Sequence, residues 1–394
     1  MAAGSADATS RSMLSRRVSG LRPSGIRRIF ELVASMDDPI NLSIGQAHFE
    51  VPEVLKEAAI KAIRDGHNRY TITQGLPSLN KRVQARLAQR YGFEGKHSLI
   101  TSGVSGGLML GFMGLLDPGD HVLLPDPYFV MYGMLAELVS ATWGTYDAAP
   151  GTPLTEEALE AGVTERTRLL LVNSPSNPTG RTLTAAELDA VGAVAARHNL
   201  VVVSDEIYED FVYDGPHVSA IGHVDPERLL VLGGYSKTWA MPGWRMGWAA
   251  GPEPLIDAMK LMQQFSFVCA PSMAQHACLD AFELDMSSFV ADYKAKRDRL
   301  LEALSPHYEI VPPGGSFYMW PRLPAGMLGS GPFMERAIAR KLLVVPGNAF
   351  SASDTHVRLS FAAEDAVLER GVTELLALAD EAPGLGGASD AAAG

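Results

Sequence analysis

The first candidate for chemistry is Lys237, which comes five positions after the apolar run of residues 229–232. A lysine at the end of a strand is usually a solvated surface group, but here Arg245 follows eight positions later, beside glycine and large aromatic residues. An amine that forms an imine needs surroundings of low polarity, in which it is neutral and nucleophilic. A guanidinium group can bind a phosphate dianion through two parallel donors. The pair therefore suits imine formation next to a phosphate.

Two other apolar runs also end in polar residues. Asp205 and Tyr208 follow residues 201–203, and Asn177 lies in a Pro- and Gly-rich turn after residues 169–172. Taken alone, the acid could be a helix cap or a hinge residue, and the turn is of an ordinary kind. Their common position after apolar runs makes them candidates for the same site.

Small residues around Val104 and Ser105 separate a predicted strand from an apolar helix. Backbone N–H groups at such a turn can approach an anion at the helix N-terminus, although a nucleotide site would look similar. Phe129 follows another predicted strand, and Arg358 lies within a further one. Without further context they would be a core aromatic residue and a surface arginine.

The elements that must position these residues form a repeated alternation of apolar runs and helix-like segments. The runs are residues 122–124, 169–172, 200–203, 229–232 and 246–250. A helix is predicted over residues 184–198, because Thr184 would cap it and Glu187 lies three positions later. Continuous apolar strands separated by helices indicate a mostly parallel sheet covered on both faces. Ligands of such sheets bind at the carboxyl ends of the strands.

The predicted fold class is α/β, with a large domain built on this sheet and a smaller α/β domain. We expect the large domain to span residues 68–275 and the small domain to span residues 276–382. The N-terminal segment, residues 17–67, is expected to pack beside the small domain. Residues 1–16 and 383–394 are small and polar with nothing to bury, so they are predicted to be disordered tails.

The composition, with 47% apolar and 20% charged residues, is typical of a soluble globular enzyme. The formal net charge of −12 argues against general nucleic-acid binding, which needs clustered Lys and Arg. The sequence contains no apolar run of the ~18 residues that a membrane span requires. The two cysteines, Cys269 and Cys278, have neither zinc nor disulfide spacing. We therefore expect no metal and a reducing, cytoplasmic location.

The segment that contains Lys237 and Arg245 resembles the attachment motif for pyridoxal 5′-phosphate (PLP) in class I/II, fold-type I aminotransferases, the aspartate-aminotransferase-like superfamily. The resemblance implies that Lys237 carries PLP as an imine and, once released, moves the substrate proton. Arg245 would bind the cofactor phosphate. Asp205 would pair with the pyridine nitrogen and keep it protonated, which makes the ring an electron sink. Tyr208 would donate to the phenolic oxygen of the ring.

Other segments resemble the same family in the same order, from about residue 40 to residue 361. Asn177, in an Asn-Pro-Thr-Gly turn, would donate to the phenolic oxygen from the side opposite Tyr208, and the two donors would lower the pKa of the imine. The backbone at Val104 and Ser105 would hold the phosphate. The ring of Phe129 would stack on the pyridine.

Three positions concern substrates and partners. Arg358 resembles the arginine that clamps the α-carboxylate of an amino acid, and Gly45 would contact the substrate through its backbone, with Phe129 and Asn177 nearby. Tyr70 resembles the tyrosine that reaches the phosphate of the neighbouring subunit. The resemblance therefore implies a homodimer with shared active sites, and ping-pong transfer between an L-amino acid and a 2-oxo acid.

The chain also departs from the family pattern. Many members have Glu-Pro-Asp after the glycine at position 45, where this chain has Gln46, an alanine and His48. Gly234 replaces a serine that often touches the phosphate. Relatives specific for dicarboxylates use an additional cation, but residues 263–273 contain no arginine and Ser105 is not a lysine. We therefore expect neutral donors, aliphatic or aromatic.

Other functions remain open at this point. A PLP-dependent C–S β-lyase would share the fold and the early chemistry of an aminotransferase. A regulatory or binding protein could keep the fold without catalysis, but the candidate residues are all present and no helix-turn-helix domain precedes the core. A nicotinamide enzyme would need a Gly-x-Gly-x-x-Gly fingerprint after a strand, which the sequence lacks.

Overall fold

The computed structural model describes residues 36–327 and 329–381, together with residues 13 and 15. The strands are β1 (Ile40–Asn41), β2 (His97–Ser102), β3 (His121–Asp126), β4 (Thr142–Asp147), β5 (Thr167–Asn173), β6 (Val201–Asp205), β7 (Leu229–Gly234), β8 (Met246–Gly251), β9 (Tyr318–Met319), β10 (Leu342–Leu343), β11 (Val345–Pro346) and β12 (Val357–Ser360). The α-helices are α1 (Glu53–Arg64), α2 (Pro77–Tyr91), α3 (Gly103–Leu115), α4 (Met131–Leu138), α5 (Glu156–Glu160), α6 (Ala185–Arg197), α7 (Glu253–Gln264), α8 (Ser272–Ala277), α9 (Ser287–Leu304), α10 (Ser330–Ala339) and α11 (Asp365–Asp380).

A seven-stranded sheet in the order β2-β8-β7-β6-β5-β3-β4 forms the centre of the fold. β8 is antiparallel to both of its neighbours, and the other neighbouring strands are parallel. The five apolar runs coincide with β3, β5, β6, β7 and β8, whose residues are almost all buried. The predicted α/β class with a mostly parallel sheet is confirmed.

The sequence predicted one helix correctly and missed one strand. The predicted helix at residues 184–198 is α6, and the predicted capping box between Thr184 and Glu187 is present. β4 was not predicted from the sequence, because this strand lies at the edge of the sheet and most of its residues are at least partly exposed. An edge strand therefore lacks the continuous apolar run that marks the central strands.

Helix α3 packs closely on the centre of the sheet because it carries glycines on its buried face. A Cβ atom at Gly107 would lie 3.0 Å from Leu232, and one at Gly111 would lie 2.9 Å from Leu230. Both leucines belong to β7. The small residues thus bring the N-terminus of α3 close to the edge of the sheet where β7 ends.

The C-terminal elements form two smaller sheets. β9, β12 and β11 make an antiparallel sheet with β12 in the middle, and β1 pairs in parallel with β10. The pairing of β1 with β10 joins the N-terminal segment to these elements, while the domain boundaries after residues 67 and 275 stay predictions. The predicted tails, residues 1–16 and 383–394, lie outside the described residues except for residues 13 and 15.

Candidate active site

Several of the candidate residues meet at the edge formed by the carboxyl ends of the parallel strands. Asn173 ends β5, Asp205 ends β6, and Lys237 follows three residues after the end of β7. Because β8 runs in the opposite direction, Arg245, which directly precedes it, returns to the same edge. The end of β2 leads there into α3.

A pocket opens at this edge and brings together ten of the eleven predicted site residues. They are Gly45, Val104, Ser105, Phe129, Asn177, Asp205, Tyr208, Lys237, Arg245 and Arg358. Tyr70 lies outside this pocket and is 83% exposed. Its reach into a neighbouring subunit stays a prediction.

The amine of Lys237 lies inside the pocket, where its Nζ donates to the carbonyl oxygen of Gly45 at 2.5 Å. Burial, assisted by the positive charge of Arg358, lowers the pKa of Lys237 to about 8, although Asp205 acts in the opposite direction. A fraction of the amine is therefore neutral near physiological pH, as a nucleophile or base requires.

The carboxylate of Asp205 is buried at the base of the pocket. Its Oδ2 accepts from the hydroxyl of Tyr132 at 2.8 Å, and its Oδ1 accepts from the backbone N–H of Ile207 at 3.2 Å. Burial raises the pKa of Asp205 to about 6 in spite of these two hydrogen bonds. A buried acid of this kind is stabilised by a cationic partner in the pocket.

Two tyrosines form a hydrogen-bonded pair beside Lys237. The hydroxyl groups of Tyr208 and Tyr318 are 2.9 Å apart, and both side chains are buried. The guanidinium of Arg358 lies 4.5 Å from the ring centre of Tyr318. Tyr318 thus connects the residue predicted for the phenolic oxygen with the residue predicted for the substrate carboxylate.

Arg358 is buried and only partly supplied with hydrogen-bond acceptors. Its Nη1 donates to Asn177 Oδ1 at 3.0 Å and its Nη2 donates to the carbonyl oxygen of Ser43 at 2.6 Å. Its Nε is buried and has no hydrogen-bond partner among the residues that the structure describes. A buried donor without a partner is costly, so this group is suited to receive an anion.

The opposite end of the pocket combines the N-terminus of α3 with Arg245. The side chain of Ser102 does not cap the helix, so the first backbone N–H groups have no side-chain acceptor from this residue. Arg245 adopts a left-handed backbone conformation with φ of 56°, and its Nη2 donates to the carbonyl oxygen of Ser102 at 3.2 Å. A Cβ atom on Gly103 would lie 2.6 Å from that Nη2. This arrangement suits a phosphate group.

The sequence did not identify the other residues that line the pocket. They are Leu108, Tyr132, Asn173, Ile207, Ser236, Pro242 and Tyr318. Tyr132 and Tyr318 lie in apolar stretches, where a tyrosine is typical of the core, and no local pattern indicates where its hydroxyl points. Asn173 was recognisable as the polar residue that ends β5, and its Oδ1 accepts from the N–H of Asn177 at 2.9 Å.

Comparison with known proteins identifies the family. The family described as aminotransferase class I and II matches residues 37–375. The probable aspartate aminotransferase of Methanocaldococcus jannaschii is 33% identical over 373 residues, which cover 91% of this chain and 98% of that protein. Aromatic-amino-acid aminotransferase 2 of Thermococcus litoralis is 34% identical over 379 residues, which cover 92% of this chain and 97% of that protein.

A solved structure agrees with these relatives. The aspartate aminotransferase from Thermus thermophilus with maleate superimposes with a TM-score of 0.87 and 32% identity, covering 93% of this chain and 100% of that chain. Both the matched family and these relatives are PLP-dependent aminotransferases, and the matches extend over nearly the whole chain. The chain belongs to the class I and II aminotransferases, and it is a PLP-dependent enzyme that transfers amino groups.

Proposed function

We propose that this enzyme moves the amino group of a neutral L-amino acid, aliphatic or aromatic, to a 2-oxo acid in a ping-pong reaction. The observation that carries the proposal is the buried Nε of Arg358, which has no hydrogen-bond partner in the described part of the chain and lies in the same pocket as the amine of Lys237. One group would hold the α-carboxylate that all α-amino acids share, and the other would act on the neighbouring Cα–H bond.

The residues of the pocket fit PLP at each of its functional groups. The N-terminus of α3 and Arg245 would hold the phosphate, and the buried carboxylate of Asp205 would face the ring nitrogen. Tyr208 and Asn177 would donate to the phenolic oxygen. When bound, PLP supplies a carbonyl carbon that exchanges the amino group and a ring that withdraws electrons from Cα.

The carboxylate of the amino acid would be held by Arg358. Its guanidinium is already oriented, because Asn177 and Ser43 accept from two of its nitrogen atoms and the ring of Tyr318 lies against it. The ring centres of Tyr318 and Phe350 lie 4.5 and 4.8 Å from the guanidinium carbon, so both rings pack against it. A carboxylate that replaces water here gains strong charge-assisted hydrogen bonds.

Lys237 would move the proton. Its Nζ, with a pKa lowered to about 8, is a suitable base at neutral pH, and it lies in the same pocket as Asp205 and Arg358. Its Nζ would take the proton from Cα of the amino donor in the first half-reaction and would deliver a proton to Cα of the new amino acid in the second. The first product would leave before the second substrate enters, since both substrates need the same carboxylate clamp.

The preference for neutral donors is supported by the charges of the pocket. Lys237, Arg245 and Arg358 are the basic residues among those that line it, and each already has a proposed role. Ser105 and Leu108 supply uncharged surface. The name of the Thermococcus litoralis relative agrees with aromatic donors, while the relatives named aspartate aminotransferases make aspartate the competing donor.

The test is a panel of amino donors assayed against 2-oxoglutarate and pyruvate, with aspartate in direct competition. We expect higher kcat/KM for a neutral aliphatic or aromatic donor than for aspartate, and a first half-reaction that runs without the second substrate. A strong preference for aspartate would overturn the proposed donor class. Release of pyruvate and ammonia from a cysteine conjugate without a 2-oxo acid would instead indicate β-elimination.

A further inference from the structure

The segment of residues 43–48 contacts the active site at two points. The carbonyl oxygen of Ser43 accepts from Arg358 Nη2 at 2.6 Å, and the carbonyl oxygen of Gly45 accepts from Lys237 Nζ at 2.5 Å. The segment belongs to no helix or strand. Backbone hydrogen bonds of Leu42 to Leu343 and Ser360 hold the residue before it, so the position of its other end depends on contacts of the residues there. His48 lies at one of these ends, at a position where this chain departs from the family pattern.

His48 contacts helix α9 through three hydrogen bonds. Its backbone N–H donates to the hydroxyl of Tyr293 at 3.2 Å, and its Nδ1 lies 3.1 Å from the same hydroxyl. Its Nε2 lies 2.8 Å from Nζ of Lys296, which is buried. Tyr293 and Lys296 are three positions apart on α9 and therefore share one face of the helix. The next residue, Phe49, stacks on Phe289 of the same helix with ring centres 3.9 Å apart.

These contacts determine the tautomer of His48. The ammonium of Lys296 can only donate, so Nε2 must carry a lone pair. A neutral imidazole then has its proton on Nδ1, which donates to the hydroxyl of Tyr293. A second proton on the ring would place an N–H group against an ammonium group at 2.8 Å. The three hydrogen bonds therefore require a neutral His48.

We propose that His48 is a positioning residue, whose neutral imidazole fastens residues 43–48 to α9 and thereby holds the carbonyl groups of Ser43 and Gly45 against Arg358 and Lys237. It acts on the reaction through these two residues and is not itself in the pocket. The inference rests on the proposed amino-acid chemistry, because it assigns the substrate affinity of the same pocket in part to this contact.

The charged groups around His48 decide the effect of acid. Lys296 and Asp292 face it from α9, the latter at 3.6 Å from Nε2, and Glu364 and Asp365 face it from the start of α11. Burial and the charge of Lys296 lower the pKa of His48 below its usual value of 6.5, while the three acids raise it in part. His48 is thus neutral and keeps its contacts with α9 at neutral pH, and these contacts are lost when the ring is protonated in acid.

The test compares three variants in steady-state kinetics. His48→Ala and Tyr293→Phe each remove two of the three hydrogen bonds and should raise KM for the amino acid by at least ~5-fold, with little change in kcat. His48→Asn keeps a donor close to the position of Nδ1 and cannot be protonated. It loses the acceptor for Lys296, so its KM at neutral pH should lie below that of His48→Ala without returning fully to the unmodified value. The rise in KM that the unmodified enzyme shows in acid should be absent.

A matched control is His307→Ala, since His307 follows the same helix but faces Asp380 at 4.0 Å instead of residues 43–48. It should leave KM and its pH dependence unchanged. An unchanged KM in both His48→Ala and Tyr293→Phe would overturn the proposal. So would an acid-induced rise in KM that persists in His48→Asn.

Two measurements without substrate separate this proposal from the proposed function. Ring nitrogen NMR shifts of the holoenzyme should report the Nδ1-protonated tautomer of His48 at neutral pH. Hydrogen exchange of the amide of His48 should be slow, and faster in Tyr293→Phe, which loses the acceptor. If these results hold while neutral amino acids are not substrates, the proposed function fails and the contact stands. A protonated His48 or the opposite tautomer would refute the contact itself.

Discussion

At the scale of single residues, burial moves the pKa values of Lys237 and Asp205 towards neutrality from opposite sides. The pKa of the amine falls to about 8 and that of the carboxyl rises to about 6, because both charged forms lose water. Such groups lower the stability of the apoprotein and are useful only when a ligand compensates for the burial. The residues that we propose for cofactor binding therefore lower the stability of the apoprotein.

Asp205→Asn should separate the cost of the buried carboxyl to stability from its benefit to activity. The carboxyl has a pKa of 3.8 when unfolded and about 6 when folded, so between these values the folded state holds more protons and stability falls as the pH rises. The amide has no such equilibrium, and its oxygen can still accept from Ile207 while Tyr132 reverses its hydroxyl. We expect an apoprotein more stable at pH 7 by up to about 3 kcal/mol, and a kcat reduced by at least ~100-fold.

Thermal unfolding of both apoproteins between about pH 4 and about pH 8 measures the first effect, and the difference should grow with pH. Asp126→Asn is a control, because this acid also ends a strand but does not line the pocket. It should leave kcat unchanged. An Asp205→Asn apoprotein that is less stable than the unmodified apoprotein at every pH would contradict the conclusion that the buried carboxylate destabilises the folded state.

The reactivity of Lys237 should follow its lowered pKa. The rate at which the apoenzyme captures pyridoxal, an aldehyde without the phosphate, should rise through about pH 8, because only the neutral amine attacks. The charge of Arg358 contributes to this low pKa, so Arg358→Gln should move the midpoint to higher pH. Absorbance changes over the pH range measure the rate. Arg340→Gln, at a surface ion pair with Glu374, is the control, and an unmoved midpoint in Arg358→Gln would contradict the prediction.

At the scale of elements, the part of the pocket that we propose for the phosphate depends on the start of α3. Gly103 has φ of +68°, a conformation that side chains disfavour, and it lies against the guanidinium of Arg245. Gly247 allows β8 to approach the same turn, since its Cβ atom would lie 2.5 Å from the carbonyl carbon of Gly103. Two glycines on different elements thus shape the proposed phosphate site.

Gly103→Ala should therefore weaken the binding of PLP. A Cβ atom would lie 2.6 Å from Arg245 Nη2, and the left-handed conformation adds ~1–2 kcal/mol, so we expect a Kd for PLP at least ~10-fold higher. Fluorescence titration of the apoenzyme measures it. Gly114→Ala, on the same helix, meets only the flexible end of Met262 and should keep the Kd. Equal affinity in both variants would be incompatible with this role of Gly103.

At the scale of the whole molecule, exposed apolar residues support the proposed homodimer. Tyr70, Ile72 and Phe265 are 83%, 60% and 82% exposed. Their segments lie side by side, because Gln263 Nε2 donates to the carbonyl oxygen of Thr73 at 2.7 Å. A second subunit that covers this surface would bring Tyr70 to the phosphate of its neighbour, as the family resemblance implies.

Mixing two inactive variants tests the shared site. Lys237→Ala lacks the reactive amine and Tyr70→Ala lacks the predicted phosphate contact, so a mixed dimer has one complete site. Random exchange of subunits should restore about a quarter of the unmodified activity, since half of the dimers are mixed and each has one working site of two. Activity after unfolding and refolding together is the measurement. No gain over the separately refolded variants would exclude the contribution of Tyr70 across subunits.

The sequence by itself determined the α/β class, the apolar strands that are followed by polar residues, and the cofactor. These features are local patterns that can be recognised from neighbouring residues alone: the apolar runs, the capping box at Thr184 and the motif around Lys237. The edge strand β4 was missed because its exposure removes the apolar run.

Only the tertiary structure decided which groups complete the pocket. The contacts from Tyr132 to Asp205, from Tyr318 to Tyr208 and from His48 to α9 join residues 73, 110 and 245 positions apart. In the sequence, a tyrosine in an apolar stretch is a core residue, and the direction of its hydroxyl depends on packing between distant elements. The ionisation of Lys237 and Asp205 is likewise a property of burial, which arises only when the chain has folded.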